Sequence, residues 1–330
     1  MAPLLADEIA DAAWAGASEL GFDGRADVVL FDAESSHRRS ALGLRLAEDL
    51  FVEVGRASRA DGDDPRRIAS RIWTPGNVER TLSVWSELAS GLRATMTFRV
   101  IVRVRHEHSF RRTDLRNELV RAISADRPRW RVEDPARLEV WLVEYSPGEF
   151  VAGLRASDAR LRQHDGRDQE RPGALRPTLA AAMIRQAGQR PGVLLDPCCG
   201  SGTILAEAIA AGWTAQGTDV DAEAVEIAAH NVPGAEVQIG DVRRIEVPDG
   251  DIDACVSNLP FGRQFEVQGD MAGWLRTALA EMVRVTRSGG RIVVLSPTVP
   301  DVGVRGLRQT HGQRFRLLGA PTRLWCFDRI

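Results

Sequence analysis

The chain predicts an α/β fold: a doubly wound parallel sheet with an antiparallel hairpin at one edge, preceded by smaller α/β units. Three observations carry this. From Thr178 onward, helical and strand patterns alternate to the end, as a parallel sheet covered by crossover helices requires. The first strand of that series ends in Asp196 and runs straight into a glycine-rich turn, Pro197-Cys198-Cys199-Gly200-Ser201-Gly202-Thr203. The chain closes on two apolar runs, Phe315–Leu318 and Arg323–Phe327, joined by Gly319-Ala320-Pro321-Thr322.

With 330 residues, 44% of them apolar and 27% charged, the chain can build two or three domains with their own cores. No stretch approaches the roughly 18 apolar residues of a membrane span. The start, Met1 to Leu5, meets Asp7 and Glu8 before any apolar leader develops, so a cytoplasmic protein is expected. Cys198, Cys199, Cys255 and Cys326 have no zinc-site spacing, and the expectation is reduced thiols and no metal. All 43 basic residues are arginine, a bias that points to a GC-rich genome. Their placement is more telling. The net charge is −6 over residues 1–90, +7 over 91–190 and −4 over 191–330.

In chain order, the pattern predicts an amphipathic helix over Leu4–Leu20 and a strand over Ala26–Phe31. A helix over Ser40–Asp49 leads into a strand at Leu50–Val54. Residues 60–68 read as a polar loop, Val78–Leu92 as a helix, and 97–105 as a strand with an arginine-bearing face. A helix over Leu115–Ala125 follows, then a hairpin of Leu138–Tyr145 and Phe150–Leu154 around Ser146-Pro147-Gly148. Residues 155–172, almost all polar, read as a linker. The later strands are placed at Val193–Asp196, Ala215–Asp219, Glu236–Ile239, Ala254–Asn258 and Arg291–Ser296.

The turn after Asp196 suits a loop that wraps S-adenosylmethionine. Gly200 and Gly202 let backbone approach a ligand where a Cβ would collide. Ser201 and Thr203 can cap the following helix. A phosphate-binding Walker loop is excluded, since no Gly-Lys-Ser/Thr follows. Asp219 ends the next strand, where an acid can hold ribose hydroxyls. Asp241, after the third, could accept from an adenine amine, and Asp221 reads as a helix cap.

Asn258-Leu259-Pro260-Phe261-Gly262 ends the fourth strand, beside the point where the sheet order should reverse. The Asn258 side-chain carbonyl and a backbone carbonyl at Leu259 or Pro260 can accept both hydrogens of an exocyclic amine, turning its lone pair toward a methyl donor. Phe261 offers a stacking face. Such a site acts on a flipped or unpaired base.

Together these motifs resemble the class I methyltransferases of the THUMP-domain RNA-modifying family, particularly its tRNA guanine-N2 branch. The resemblance is carried by Pro172–Met183, Leu195–Thr203 with Ile204, Leu205 and Glu207, Gly217-Thr218-Asp219 and Asn258–Gly262. It implies a Rossmann-like methyltransferase domain at 158–330, a ferredoxin-like unit at 1–55 and a THUMP RNA-binding domain at 56–157. It also implies cofactor contacts from Arg176, Pro177, Thr178, Asp196, Cys198, Gly200, Ser201, Gly202, Thr203, Asp219, Val220, Asp241, Val242 and Asn258. Asn258, Leu259, Pro260 and Phe261 would hold the target base. The family often has Asn-Pro-Pro-Tyr where this chain has Asn-Leu-Pro-Phe, which keeps the carbonyl and the stacking face.

From Arg99 to Arg131 ten arginines face four acids. Arg103, Arg105, Arg111, Arg112 and Arg116 are the expected phosphate contacts of an RNA partner, with tRNA the one the resemblance implies. His106 and His108 flank this patch with the spacing of one strand face, and no third metal ligand is obvious. A monomer is favoured. The competing readings are methylation of a ribosomal RNA base or of nucleic-acid adenine N6, methylation of protein glutamine, and a non-catalytic RNA-binding module on a decayed fold. Intact Gly200, Gly202, Asp219 and Asn258 argue against decay.

Overall fold

The computed structural model describes the chain except residues 13, 23–24, 59, 61–62, 90, 165–167, 261–269, 298–303 and 318–319, and the side chains of 15, 19–22, 25–27, 315–317 and 320. It divides into two compact units, Met1–Arg162 and Gln163–Ile330.

The first unit opens with α1 (Ala2–Asp11) and an antiparallel ribbon of β1 (Ala15–Phe22) and β2 (Arg25–Asp32). The single helix expected over Leu4–Leu20 is therefore wrong in its second half. Gly16, at φ +70°, breaks the helical path, and Trp14 stacks on Phe31 at 5.5 Å to fold the strand back. The helix expected over Ser40–Asp49 is only a 3-10 segment, Arg38–Gly43. The Glu8 carboxylate takes the N–H groups of Arg45 and Leu46, at 2.8 and 3.0 Å, so these donors are spent outside a helix.

A five-stranded sheet follows, in the order β3 (Phe51–Ser58), β7 (Glu149–Arg155), β6 (Leu138–Ser146), β4 (Thr97–Arg103), β5 (Arg131–Val132). The pairs β3–β7 and β6–β7 are antiparallel, and β4 runs parallel to both β6 and β5. Residue 55 lies inside β3. Three helices, α2 (Pro65–Ile72), α3 (Pro75–Leu88) and α4 (Arg112–Asp126), bury Ile68, Ile72, Trp85, Leu115 and Leu119 against Phe98, Val100, Leu138 and Leu142. The loop expected at 60–68 gives way to α2 at Pro65. Asp64 caps it by accepting the Arg66 N–H at 3.0 Å, and Pro65 supplies a preset φ.

The chain passes between the units in α5 (Arg160–Gln163). The second unit is built on a seven-stranded sheet, β10 (Glu236–Ile239), β9 (Thr214–Asp219), β8 (Val193–Asp196), β11 (Ile252–Asn258), β12 (Thr286–Ser296), β14 (Ala320–Arg329), β13 (Leu307–Leu317). The first five are parallel; β14 is antiparallel to β12 and to β13. The doubly wound order with an antiparallel edge is the expected one, though the hairpin starts at Leu307, well before Phe315. The crossover and covering helices are α6 (Pro177–Ala187), α7 (Thr203–Ala210), α8 (Ala222–Asn231) and α9 (Met271–Val285). α6 is apolar nearly all round and is buried along its length, whereas α9 turns Leu275, Leu279 and Met282 onto Ile292 and Val294.

Candidate active site

In this order β8 stands between β9 and β11, so the crossovers on its two sides leave in opposite directions and a crevice opens above its carboxyl end. A cavity of about 780 Å³ occupies that place, within the size range of nucleoside-scale ligands. The loops after β8, β9, β10 and β11 line it, with Trp274 of α9 and the segment 171–175.

Of the residues singled out in the sequence, Asp196, Cys198, Gly200, Ser201, Thr203, Asp219, Val220, Asp241, Val242, Asn258 and Pro260 line this cavity. Arg176, Pro177, Thr178, Gly202 and Leu259 are not on its wall. Arg176 is the N-cap position of α6, with Pro177 and Thr178 buried in the first turn. The wall is formed instead by Arg171 to Leu175 just before them. Leu259 is 1% exposed and packs in the core under α9. Phe261 lies outside the described residues.

The two glycines of the turn differ in what they do. Gly200, at φ +54°, has nothing within 4 Å of the place a Cβ would take, and it faces the cavity. Gly202, at φ +86°, would put a Cβ 3.0 Å from Val232 Cγ2 and 3.3 Å from Ala228. Gly202 thus serves the approach of α7 to α8, not a ligand. It is also the N-cap of α7, so the expected capping by Ser201 and Thr203 is not used.

The acids are arranged in graded burial. Asp196 is fully buried. Its Oδ1 accepts from Ser257 Oγ at 2.8 Å and from the Cys198 N–H at 3.1 Å. Burial outweighs both bonds, and with a further push from Asp219 raises its pKa to about 7. The Cys198 thiol, partly buried beside these carboxylates, is held well above the ordinary thiol range by desolvation and by Asp196 and Asp219, and stays neutral. Asp219 accepts the Gly200 N–H at 2.9 Å and the Asp221 N–H at 3.1 Å, bracing the turn from below. Asp221 is the N-cap of α8, accepting from Glu223 at 3.0 Å, and also receives Arg171. The bond with Arg171 lowers its pKa. Asp241 is gripped by Arg243 through Nε, Nη2 and the backbone N–H, which lowers its pKa. An adenine amine at Asp241 would share the carboxylate with this guanidinium.

Asn258 ends β11 opposite Leu295 of β12. Its side-chain oxygen is buried and accepts no hydrogen bond from the described residues. A buried carbonyl without a donor costs about 1–3 kcal/mol, and such an atom in a ligand cavity marks a place where a donor belongs. The other walls fit S-adenosylmethionine by their chemistry: an open backbone surface at Gly200, carboxylates at the ends of adjacent strands, and Val220, an apolar side chain 68% exposed.

Sequence reading gives no site role to Arg171, Ser257, Arg243 or Trp274, and takes Gly173, Ala174 and Leu175 only as part of the resembling segment Pro172–Met183. Ser257 precedes the prominent Asn258, and its role is visible only through β8–β11 pairing. Trp274 stands in the first turn of α9, which brings it to the rim of the cavity.

In the first unit, Arg103, Arg105, Arg111, Arg112 and Arg116 are all exposed, on the end of β4, the loop after it and the start of α4. Arg103 lies over Trp141 at 4.6 Å and Arg116 reaches back to the Val100 carbonyl at 3.2 Å. Arg99, part-exposed on the face of β4 away from Phe98 and Val100, is paired with Glu139 and Asp134. His106 and His108 lie beyond the strand. There Glu144, fully buried, accepts from the N–H groups of Arg105, His106 and Gly148 and from His108, whose other nitrogen faces Asp63. This cluster pins the arginine-bearing loop. Among the described residues no group of three His, Cys, Asp or Glu side chains could hold a metal ion, and no helix is long and apolar enough to cross a membrane.

Residues 164–305 match the model of a family described as "RMKL-like, methyltransferase domain". The bovine U6 snRNA (guanine-N(2))-methyltransferase THUMPD2 is 38% identical over 131 residues, covering 37% of this chain and 25% of that protein. A tRNA (guanine(10)-N2)-dimethyltransferase of Methanothermobacter thermautotrophicus is 32% identical over 138 residues, 40% of this chain and 41% of that one. The chain therefore spans between a quarter and two fifths of the length of these curated relatives. Across its whole length it shares a fold with TrmN from Thermus thermophilus, at TM-score 0.76 and 22% identity, covering 99% of this chain and 96% of that one. The segment 164–305 includes every residue named above as lining the cavity, and it is this segment that matches the RMKL-like methyltransferase-domain model.

Proposed function

We propose that this chain methylates an exocyclic amine of an RNA base, guanine N2 in tRNA, using S-adenosylmethionine. The observation that carries the proposal is the buried Asn258 oxygen, unpartnered among the described residues, in the cavity that Asp196, Gly200 and Asp219 also line. Bound S-adenosylmethionine would supply an electrophilic methyl group. The protein's part is placement. Asn258 Oδ1 takes one amine hydrogen and a carbonyl of the Leu259–Pro260 backbone takes the other. The nitrogen lone pair is then directed at the methyl carbon, and positioning of this kind is what a transfer between a good leaving group and a neutral amine needs. Pro260 holds the loop and Phe261 supplies the stacking face.

The RNA substrate is assigned to the exposed arginines after β4, in a first unit read as a ferredoxin-like segment (1–55) and a THUMP domain (56–157). Clustered guanidinium groups give sequence-independent grip on phosphates. The relatives' names, an snRNA and a tRNA guanine-N2 enzyme, support the base and the polymer. Four cysteines without disulfides suit the cytoplasm.

The test is transfer of labelled methyl from S-adenosylmethionine to unmodified tRNA and rRNA transcripts, with nucleoside mass spectrometry. N2-methylguanosine in tRNA alone is expected. Label in rRNA or in adenosine would overturn the assigned target. Absence of label from both would overturn the RNA substrate.

A further inference from the structure

The segment 168–175 precedes the first strand of the methyltransferase sheet, and its later part walls the cavity. One side chain fastens it. Asn231, the last residue of α8, is 6% exposed and has its amide fully used. Oδ1 accepts the Gln169 N–H at 3.0 Å, and Nδ2 donates to the Gln169 carbonyl and to the Ser201 carbonyl, both at 2.9 Å. The first two bonds grip both polar groups of one peptide residue of the segment. The third ends on the glycine turn that lines the opposite wall. At the other end of α8, Asp221 holds Arg171 of the same segment. Earlier still, His164 meets the buried Glu207 of α7 at 2.6 Å.

We infer that Asn231 is a positioning residue of the cofactor site, setting the spacing between the segment 168–175 and the glycine turn by bonding both. It touches no cavity space itself and acts through Gln169 and Ser201. The segment could be carried by Arg171–Asp221 alone, but that pair is partly exposed and sits on a long side chain. The amide of Asn231 is buried and short, so it transmits a fixed distance. The inference rests on the reading of the cavity as an S-adenosylmethionine site.

Asn231→Asp is the informative change, because shape is kept while Nδ2 becomes an acceptor facing two carbonyls. The expected result is a KM and a Kd for S-adenosylmethionine raised about tenfold or more, with kcat at saturating cofactor reduced less than threefold. Hydrogen exchange should show that S-adenosylmethionine protects the amides of Gly173, Ala174 and Leu175 in the wild-type chain and not in the variant. A residue serving stability alone would lower the melting temperature and leave both readouts unmoved. Should Asn231→Asp fail to fold, Gln169→Pro removes the N–H donated to Asn231 from an exposed position, and a severalfold loss of cofactor affinity is expected. A folded variant of either kind with wild-type Kd and wild-type protection overturns the inference. A wild-type chain that binds no S-adenosylmethionine overturns the cavity reading, and this inference with it.

Discussion

Asp196→Asn should make the second unit more stable and the site less able to bind its ligand. The Asp196 carboxyl is fully buried and its pKa stands near 7, against 3.8 for the free group. A rise of about three units corresponds to about 4 kcal/mol, since each unit is worth about 1.4 kcal/mol. For an acid whose folded pKa is raised, the protonated form favours folding. That contribution is complete below pH 4, is lost as pH climbs toward 7, and is gone above it. Asparagine keeps an oxygen for Ser257 and Cys198 and carries no charge, so the variant's advantage should grow by about 2.5–3 kcal/mol between pH 5 and pH 8. Hydrogen exchange at Leu194 and Leu195 in graded urea would read this from the β8 strand itself. Both described bonds to Asp196 fall on Oδ1, which leaves Oδ2 for a ligand, so S-adenosylmethionine affinity should fall in the same variant. A stability difference that stays flat from pH 5 to 8 would refute the buried, ionising carboxyl.

Asn258→Ala should lower kcat by about 100-fold or more while leaving S-adenosylmethionine Kd within twofold, because the lost contact orients the amine and not the cofactor; single-turnover transfer with parallel calorimetry separates the two. Gly200→Ala and Gly202→Ala should diverge. Each costs about 1–2 kcal/mol for a left-handed backbone, but the Cβ at 200 enters the cavity and weakens cofactor binding, whereas at 202 it meets Val232 and shows mainly as a lower melting temperature. Arg111→Ala with Arg112→Ala should weaken RNA binding and reduce the slope of log K against log salt by about 1.4, two contacts at about 0.7 each; an unchanged slope would remove these arginines from the interface.

What the sequence disclosed and what it hid divide along a physical line. Elements whose hydrophobic pattern matches one burial environment were legible: Val193–Asp196 and Ala254–Asn258 are apolar because both faces of a central parallel strand are covered. Glu236–Ile239, an edge strand with three of four residues exposed, was placed because its neighbours fixed the alternation. The helix expected over Ser40–Asp49 failed because backbone donors in it are claimed from far away. Arg45 and Leu46 lie in a sequence that favours a helix, yet Glu8, 37 and 38 positions earlier, takes their N–H groups. No local propensity scale contains that carboxylate.

The site divides in the same way. Residues at strand ends could be named, since a doubly wound order fixes which loops converge. What could not be read was the difference in role between neighbours. Gly200 and Gly202 look equivalent in a turn, and only the packing of α8 against α7 shows that one faces a ligand and the other a methyl group of Val232. Arg176 to Thr178 lie just past the true wall because a helix begins at Pro177 and draws Pro177 and Thr178 into the core, with Arg176 at its exposed N-cap. The segment that lines the cavity is the stretch before the helix, which has no hydrophobic period of its own. Its position is written in α8, through Asp221 and Asn231 at the two ends of one helix, so the wall of the cavity is specified some fifty to sixty residues away from itself.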